Sequence, residues 1–559
     1  MKGPAWLQAR WPLVVVVALS TVAVIGAFNP APHSGGDNAG YVSLAYSLLA
    51  DGSYTDVYDP LGLPHSKYPP VFAGLLAVLM FLGARSWVAL KSVAALSTVV
   101  AVSVTYLWAR RRTTDWAGFG VAVVLAFSSA VVYYSHWILS DLPFVAFTMI
   151  ALWSLEHWEF DEGRSRGWLA VGALATGLAY FTRSAGLPLL VSVLAWFALR
   201  RRWRTLGVVG LALGIPALLW WARGTGADPG AYGSEFWLVD PYDPSLGRVG
   251  LVGLFARAWH NLLGYAGTHV PAGIMGRGAP GLPVLGWGLV ILGVWGWASR
   301  ARKGLGASEL FFPMYAGLIL LWPEVWSGDR FALPLFPLLF LYSWDAIARL
   351  VERWGRVGLG TAGAVTFLVV MVPSLLTWLG AARESSACGA LTRSEGPFAC
   401  SGPRFVSFVH AAEWSGANLP DGAAVLSRKP RTFFVMSGVP SRTFPFSEES
   451  GVLLAEAEAV GARYVLVDQL DNLALRYVGS AVRATPTAFC TIAGFAGPQG
   501  RGSQLLGIVP ESGWAESEAA ATADGVHLPP CDRTYVKSEV TEVDYSSSSR
   551  IPLLDRLDP

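Results

Sequence analysis

Apolar runs long enough to cross roughly 30 Å of hydrocarbon, about 20 residues each, recur through the first 380 residues and leave few folds open. They fall at 11–29, 86–109, 116–135, 139–158, 167–182, 184–199, 205–222, 282–299, 308–326, 331–348 and 357–379. The runs at 167–182 and 184–199 are short and depend on their neighbours. A further stretch, 70–84, is apolar but short and opens with Pro69-Pro70. Charge decides how to count it, because cytoplasmic loops are enriched in Lys and Arg. With 70–84 on the surface there are about 11 transmembrane helices and a cytoplasmic N-terminus. Every basic cluster then falls inside: Lys2 with Arg10, Arg110-Arg111-Arg112, Arg164 with Arg166, Arg200-Arg201-Arg202 with Arg204, Arg300 with Arg302 and Lys303, and Arg349 with Arg353 and Arg356. With 70–84 spanning, all clusters after the first move outside. The segment is therefore read as an interfacial or re-entrant helix.

Composition agrees with a polytopic α-helical membrane protein. Of 559 residues, 53% are hydrophobic and only 14% charged, which sets the chain apart from soluble enzymes. Many of the 25 tryptophans lie near the ends of apolar runs, as an interfacial belt requires. No basic domain or recognition motif points to a nucleic acid. The first run resembles an uncleaved signal anchor, since "FNPAPHS" offers no small-x-small cleavage site.

This topology sends four parts outward: the loop 30–85, the turn 136–141, the loop 223–281 and everything after about residue 380. Cys388, Cys400, Cys490 and Cys531 all lie in the last part. An even number on the oxidising side is consistent with two disulfides, with three connectivities open and unpaired thiols as the alternative. The chain divides into a transmembrane domain over 1–380, a C-terminal external α/β domain over 381–510, and a loosely ordered tail over 511–559. In the external domain "AAVLSR", "RYVLVDQ", "AFCTIAGF" and "QLLGIVP" read as strands, with helices near 404–416 and 448–462. The tail is rich in Ser, Ala and acid.

Ionisable residues are scarce in the runs, so the exceptions point to function. Asp37 lies at the external mouth of span 1, Asp141 at the external start of span 4 and Arg183 at the external end of span 5. Arg330 opens span 10, and Lys67 precedes the interfacial helix. Two acids and three bases from remote segments thus share one depth on one face. Each also has a structural reading. Asp37 could cap a helix over 38–50 and Asp141 the next span; the arginines could snorkel, and Lys67 could be solvated. His136, His260 and His269 lack ligand spacing. The motifs name no cofactor and leave a divalent metal open.

A lipid-linked phosphosugar needs cations to hold its phosphate and a carboxylate to deprotonate the attacking hydroxyl. No Gly-rich strand–helix turn binds a nucleotide, so a cytosolic nucleotide sugar is not the implied donor.

The stretches "GGDNAGYVSLAYSLLADGSYTD", "KYPPVFAGLLAVLMFLGA", "SDLPF", "TRSAG" and "RFALPLFP" together resemble the C-type glycosyltransferase superfamily. The nearest likeness is to the branch of protein O-mannosyltransferases and the lipid A aminoarabinose transferase, over roughly residues 10–380. The resemblance implies transfer from a polyprenyl-phosphate sugar at the external face to a glycan, lipid or protein acceptor. It makes Asp37 the catalytic acid of the first external loop and Asp141 its counterpart in the next. Lys67, Arg330 and, less directly, Arg183 correspond to donor-phosphate residues. Phe331 stands where tyrosine is common, and Asn38 where mannosyltransferases often carry a second acid. Tyr41, Tyr68 and His136 are expected in the substrate pocket. A transporter or flippase of lipid-linked glycans, and a non-catalytic scaffold, are the alternatives. Charges crowded at the external edge rather than mid-span argue against transport.

Overall fold

The computed structural model describes residues 11–224, 232–279, 281–355, 358–497, 502–522, 525–543, 545 and 549–557. Lys2, Arg10 and Arg356 of the basic clusters, and 225–231 and 280 of the loop 223–281, lie outside the described residues. The chain forms two compact units. The first takes the described residues of Met1–Asn29, Ser66–Phe72 and Lys91–Ala387. The second takes those of Pro30–His65, Ala73–Leu90 and Cys388–Pro559.

The first unit is helical; helices lie on the apolar runs, and others, Leu251–Gly264 and Val270–Met275, lie in the loop 223–281. Those on the runs include Trp11–Gly26, Asp115–Phe127, Asp141–Phe160, Arg166–Thr182, Leu187–Leu199 and Ala307–Leu321. Among the described residues five helical stretches are long and apolar enough to cross a membrane by length and composition: Trp87–Arg112, Trp203–Arg223, Leu282–Ala301, Asp329–Arg353 and Leu359–Glu395. Apolar side chains face outward along two of these, at Val208, Leu211, Ile215 and Leu218, and at Val365, Leu368, Val372 and Leu376. Such continuous apolar surface is what lipid, rather than water, solvates. Inside, Trp108, Trp196, Tyr315, Tyr342, Phe311 and Phe336 form the core. Some buried hydroxyls bond within their own helices, as Thr98 does to the Ala94 carbonyl and Thr105 to that of Ala101, which satisfies those donors away from water.

Close helix contact rests on glycine at one place in particular. A Cβ at Gly296 would stand 1.8 Å from the Tyr342 carbonyl oxygen, and one at Gly293 2.3 Å from Leu339. The helix Leu282–Ala301 thereby lies directly on the backbone of Phe336–Trp354. The ends bearing the basic clusters are tied by compensated charges. Arg112 pairs with Glu156 and, at 2.7 Å, with Glu309, while Arg300 pairs with Asp345.

In the second unit a five-stranded sheet has the order β2-β1-β3-β5-β4. Its strands are β1 (Val425–Leu426), β2 (Ser441–Arg442), β3 (Tyr464–Val467), β4 (Phe489–Gly494) and β5 (Gln504–Ile508). β1 pairs in parallel with β2 and β3; β5 is antiparallel to β3 and β4. Helices Pro403–Asn418, Pro430–Ser437, Ser450–Ala459 and Leu473–Ala484 accompany it. Leu426, Val465, Phe489 and Leu506 meet Tyr477 and Val478 in its core. The cysteines pair as Cys388–Cys400 and Cys490–Cys531. Ile551, Leu553 and Leu554 are buried, and the Ile551 amide donates to the Arg85 carbonyl at 2.8 Å, because three apolar side chains there outweigh the polar composition around them.

The apolar stretch after Pro69 is a helix at Pro70–Phe81. Its 12 residues rise only about 18 Å, short of the hydrocarbon thickness.

Candidate active site

Three segments of the first unit converge on Asp141. This residue opens the helix Asp141–Phe160, with Ser140 as N-cap and Pro143 in the first turn. Arg183 ends the helix Arg166–Thr182 in extended backbone, φ −149° and ψ 136°, which turns its side chain away from the helix axis. Arg330 sits in the short helix Asp329–Ala332, and Pro334 follows in the next turn. Arg183 Nη1 lies 2.6 Å from Asp141 Oδ1, and Arg330 Nε lies 2.8 Å from Oδ2. Each carboxylate oxygen thus receives one guanidinium. The Phe331 ring lies within 6 Å of both, at 5.7 Å from Arg183 and 5.8 Å from Arg330. Asp141 is 4% exposed, Arg183 13% and Arg330 20%, so the charges are largely withdrawn from water and strongly coupled.

Asp329 extends the cluster. Its Oδ1 accepts from the Tyr134 hydroxyl at 3.1 Å and from the Arg330 amide at 2.9 Å. Lys67 donates to both carboxylate oxygens of Glu235, at 2.9 and 2.7 Å. Its ammonium also faces the rings of Tyr232 and Trp326 at 5.0 and 5.6 Å, and Trp326 precedes Arg330 in one short connection. Tyr68 and His136 are buried in this unit, His136 edge-on to Phe28 and Tyr133.

Asp37 belongs to the second unit. It lies in the first turn of the helix Gly36–Ala50, whose N-cap is Gly35. Neither Asp37 nor Asp141 is the cap of its helix: the first helix begins at Gly36, which places Asp37 second in its first turn, and the other begins at Asp141 itself. Asp37 remains 37% exposed, with the Arg431 guanidinium 4.0 Å away. Tyr41, on the same helix, is buried.

Glu235, Asp329 and Arg431 were not singled out by the sequence. Asp329 precedes a motif arginine and could have been found from that adjacency. Glu235 and Arg431 sit in the short helices Tyr232–Phe236 and Pro430–Ser437, with no sequence pattern to mark them. Among the described residues no group of three or more His, Cys, Asp or Glu side chains is placed to hold a metal ion.

Comparison with known proteins bears on this arrangement. Residues 67–221 match the family model for dolichyl-phosphate-mannose-protein mannosyltransferase, a segment that contains Lys67, Asp141 and Arg183. The oligosaccharyltransferase of Archaeoglobus fulgidus, solved with a tethered acceptor peptide, superposes with a TM-score of 0.56 at 15% identity, covering 89% of this chain and 75% of that one. The chain has the C-type glycosyltransferase fold. ArnT from Cupriavidus metallidurans gives the same result over nearly its whole length. The apo form superposes with a TM-score of 0.54 at 15% identity, covering 89% of this chain and 98% of that chain. The form bound to undecaprenyl phosphate gives 0.53 at 15% identity, covering 91% and 99%. At such identity the likeness to these C-type structures is one of fold. No curated protein matches the chain by sequence.

Proposed function

We propose that this chain is an integral membrane glycosyltransferase that moves a sugar from a polyprenyl-phosphate donor to an acceptor hydroxyl at the external face, with inversion. The observation that carries the reading is the convergence of Arg183 and Arg330 on Asp141 within a C-type glycosyltransferase fold. A guanidinium has five N–H donors, so each arginine can bond Asp141 and a phosphate oxygen together. The undecaprenyl phosphate bound by the ArnT relative supports the same donor class.

In the proposed step the Asp37 carboxylate takes the proton of the acceptor hydroxyl. The hydroxyl oxygen bonds to the anomeric carbon from the face opposite the phosphate. The carbon–oxygen bond to phosphate breaks, its electron pair leaving on polyprenyl phosphate. A carboxylate is a weak base for an alcohol, so charge stabilisation of the leaving phosphate supplies most of the acceleration. Arg183, Arg330 and Lys67 provide it, with the phosphate taking the place of the Glu235 carboxylate on Lys67. Asp141 uses both oxygens on the arginines, which favours a role in aiming them over one in binding acceptor. Tyr41, Tyr68 and His136 are proposed as substrate contacts. The orientation, cytoplasmic N-terminus and external second unit, rests on the parity of the basic clusters and on the paired cysteines, which form in oxidising compartments.

The test is transfer from a polyprenyl-phosphate sugar by the full chain in proteoliposomes, with the product anomer assigned by NMR. Asp37→Asn should lose about 10²–10⁴-fold in rate while inserting normally. Turnover retained in that variant, or a product of retained configuration, overturns the reading.

A further inference from the structure

The second unit surrounds Asp37 with groups that the reaction scheme does not use. The sheet order places β2 and β3 on opposite sides of β1, all three parallel, so the carboxyl ends of β1 and β3 flank a topological switch point, where open α/β sheets hold their functional groups. From β1 come Arg428, Lys429 and Arg431, the last in the helix Pro430–Ser437. From β3 come Asp468 and Asp471. Arg428 Nε pairs with Asp471 at 2.8 Å. Lys429 Nζ donates to the Ser34 carbonyl at 2.8 Å, just ahead of Gly35-Gly36-Asp37. Arg431 reaches Asp37 itself at 4.0 Å and lies 5.3 Å from the Tyr58 ring.

The loop that carries Asp37 is fixed to this edge further along as well. The Ser441 amide donates to the Tyr58 carbonyl at 2.6 Å, and Arg442 donates to both oxygens of Asp59 at 3.1 and 3.0 Å. The backbone just ahead of Asp37 has little restraint of its own, since two successive glycines precede the acid. A Cβ at Gly36 would meet nothing within 4 Å, and the Lys429 ammonium ties the turn by the Ser34 carbonyl. The charges at the edge also balance: Asp37, Asp468 and Asp471 against Arg428, Lys429 and Arg431. Paired in this way, the charges at the edge set positions.

We propose that Lys429 and Arg431 are positioning residues for Asp37: Lys429 fixes the turn that presents the acid, and Arg431 turns its carboxylate toward the acceptor. The external unit then acts in the chemistry of every acceptor by aiming the base, whatever else it binds. This rests on the reading of Asp37 as the base.

The experiment compares Arg431→Gln, Arg431→Lys, Lys429→Gln and Asp37→Asn, each as the full chain in proteoliposomes, with kcat and donor KM measured separately. Misaiming a base costs about 10- to 100-fold. Arg431→Gln and Lys429→Gln should lose that much in kcat with donor KM unchanged within twofold, and Arg431→Lys should recover most of it. Wild-type kcat in folded Arg431→Gln and Lys429→Gln beside an inactive Asp37→Asn overturns the inference and leaves the base assignment standing. An active Asp37→Asn removes the base assignment and the inference with it. Should Arg431→Gln fail to fold by thermal melting, Lys429→Gln and the Arg431→Lys comparison decide.

Discussion

A carboxylate that receives two guanidinium groups in a largely dry site is costly to replace, because its loss leaves two buried cations facing each other. Asp141→Asn should therefore cost about 3–5 kcal/mol and weaken donor binding, read as a lower apparent Tm in detergent and a higher donor KM. Asp468 makes a different case. It is fully buried, its Oδ1 accepts from the Leu470 amide at 3.0 Å, and its Oδ2 has no hydrogen-bond partner among the described residues. Burial pushes its carboxyl up to about 6 from the ordinary 3.8. An acid with a raised folded value binds its proton more tightly in the folded state, so stability falls as pH rises from about 4 to about 6 and is flat above. At pH 8 the penalty is about 3 kcal/mol. Asp468→Asn should melt higher than the parent at pH 8, with the gap closing toward pH 4; an equal gap at both pH values contradicts this. Asp37, Asp141, Arg183 and Arg330 were legible in the sequence because a charge beside an apolar run stands out. Glu235, Lys429 and Arg431 were not, because outside the apolar runs one more charge carries no signal until the fold brings it to a partner.

At the scale of elements, the helices follow from length and hydropathy, since an apolar run in lipid has no other way to satisfy its backbone. How they cross does not. The contact between Leu282–Ala301 and Phe336–Trp354 depends on Gly296, whose missing Cβ lets the Tyr342 carbonyl approach. Gly296→Val forces the two backbones apart, at a cost of about 1–3 kcal/mol or more. It should reduce monodisperse protein on size exclusion, whereas Gly288→Val, where a Cβ meets nothing within 4 Å, should not. Strands β1, β3, β4 and β5 lie within the four stretches that read as strands. β2 is only Ser441–Arg442, too short to show a period. The helices Pro430–Ser437 and Leu473–Ala484 were also missed: the first is short and begins with a proline after Arg428-Lys429, and the second mixes Arg, Gly and Ser into its sequence.

For the whole molecule, each unit is discontinuous in sequence, which no reading of consecutive residues discloses. The segment with Asp37 folds with residues from Cys388 onward. On the proposed topology a C-terminal tag should be accessible in intact spheroplasts and a tag between Arg300 and Lys303 only after permeabilisation; the reverse would place Asp37 in the cytosol and end the assignment. The most direct test follows the lipid carrier. In sealed proteoliposomes containing a polyprenyl-phosphate sugar and a mixture of envelope acceptors, mass spectrometry should find polyprenyl phosphate and glycosylated product rising in equal amounts, and neither with Asp37→Asn. Intact donor crossing the bilayer with no new glycosidic bond, or equal conversion by the parent and Asp37→Asn, would contradict the account.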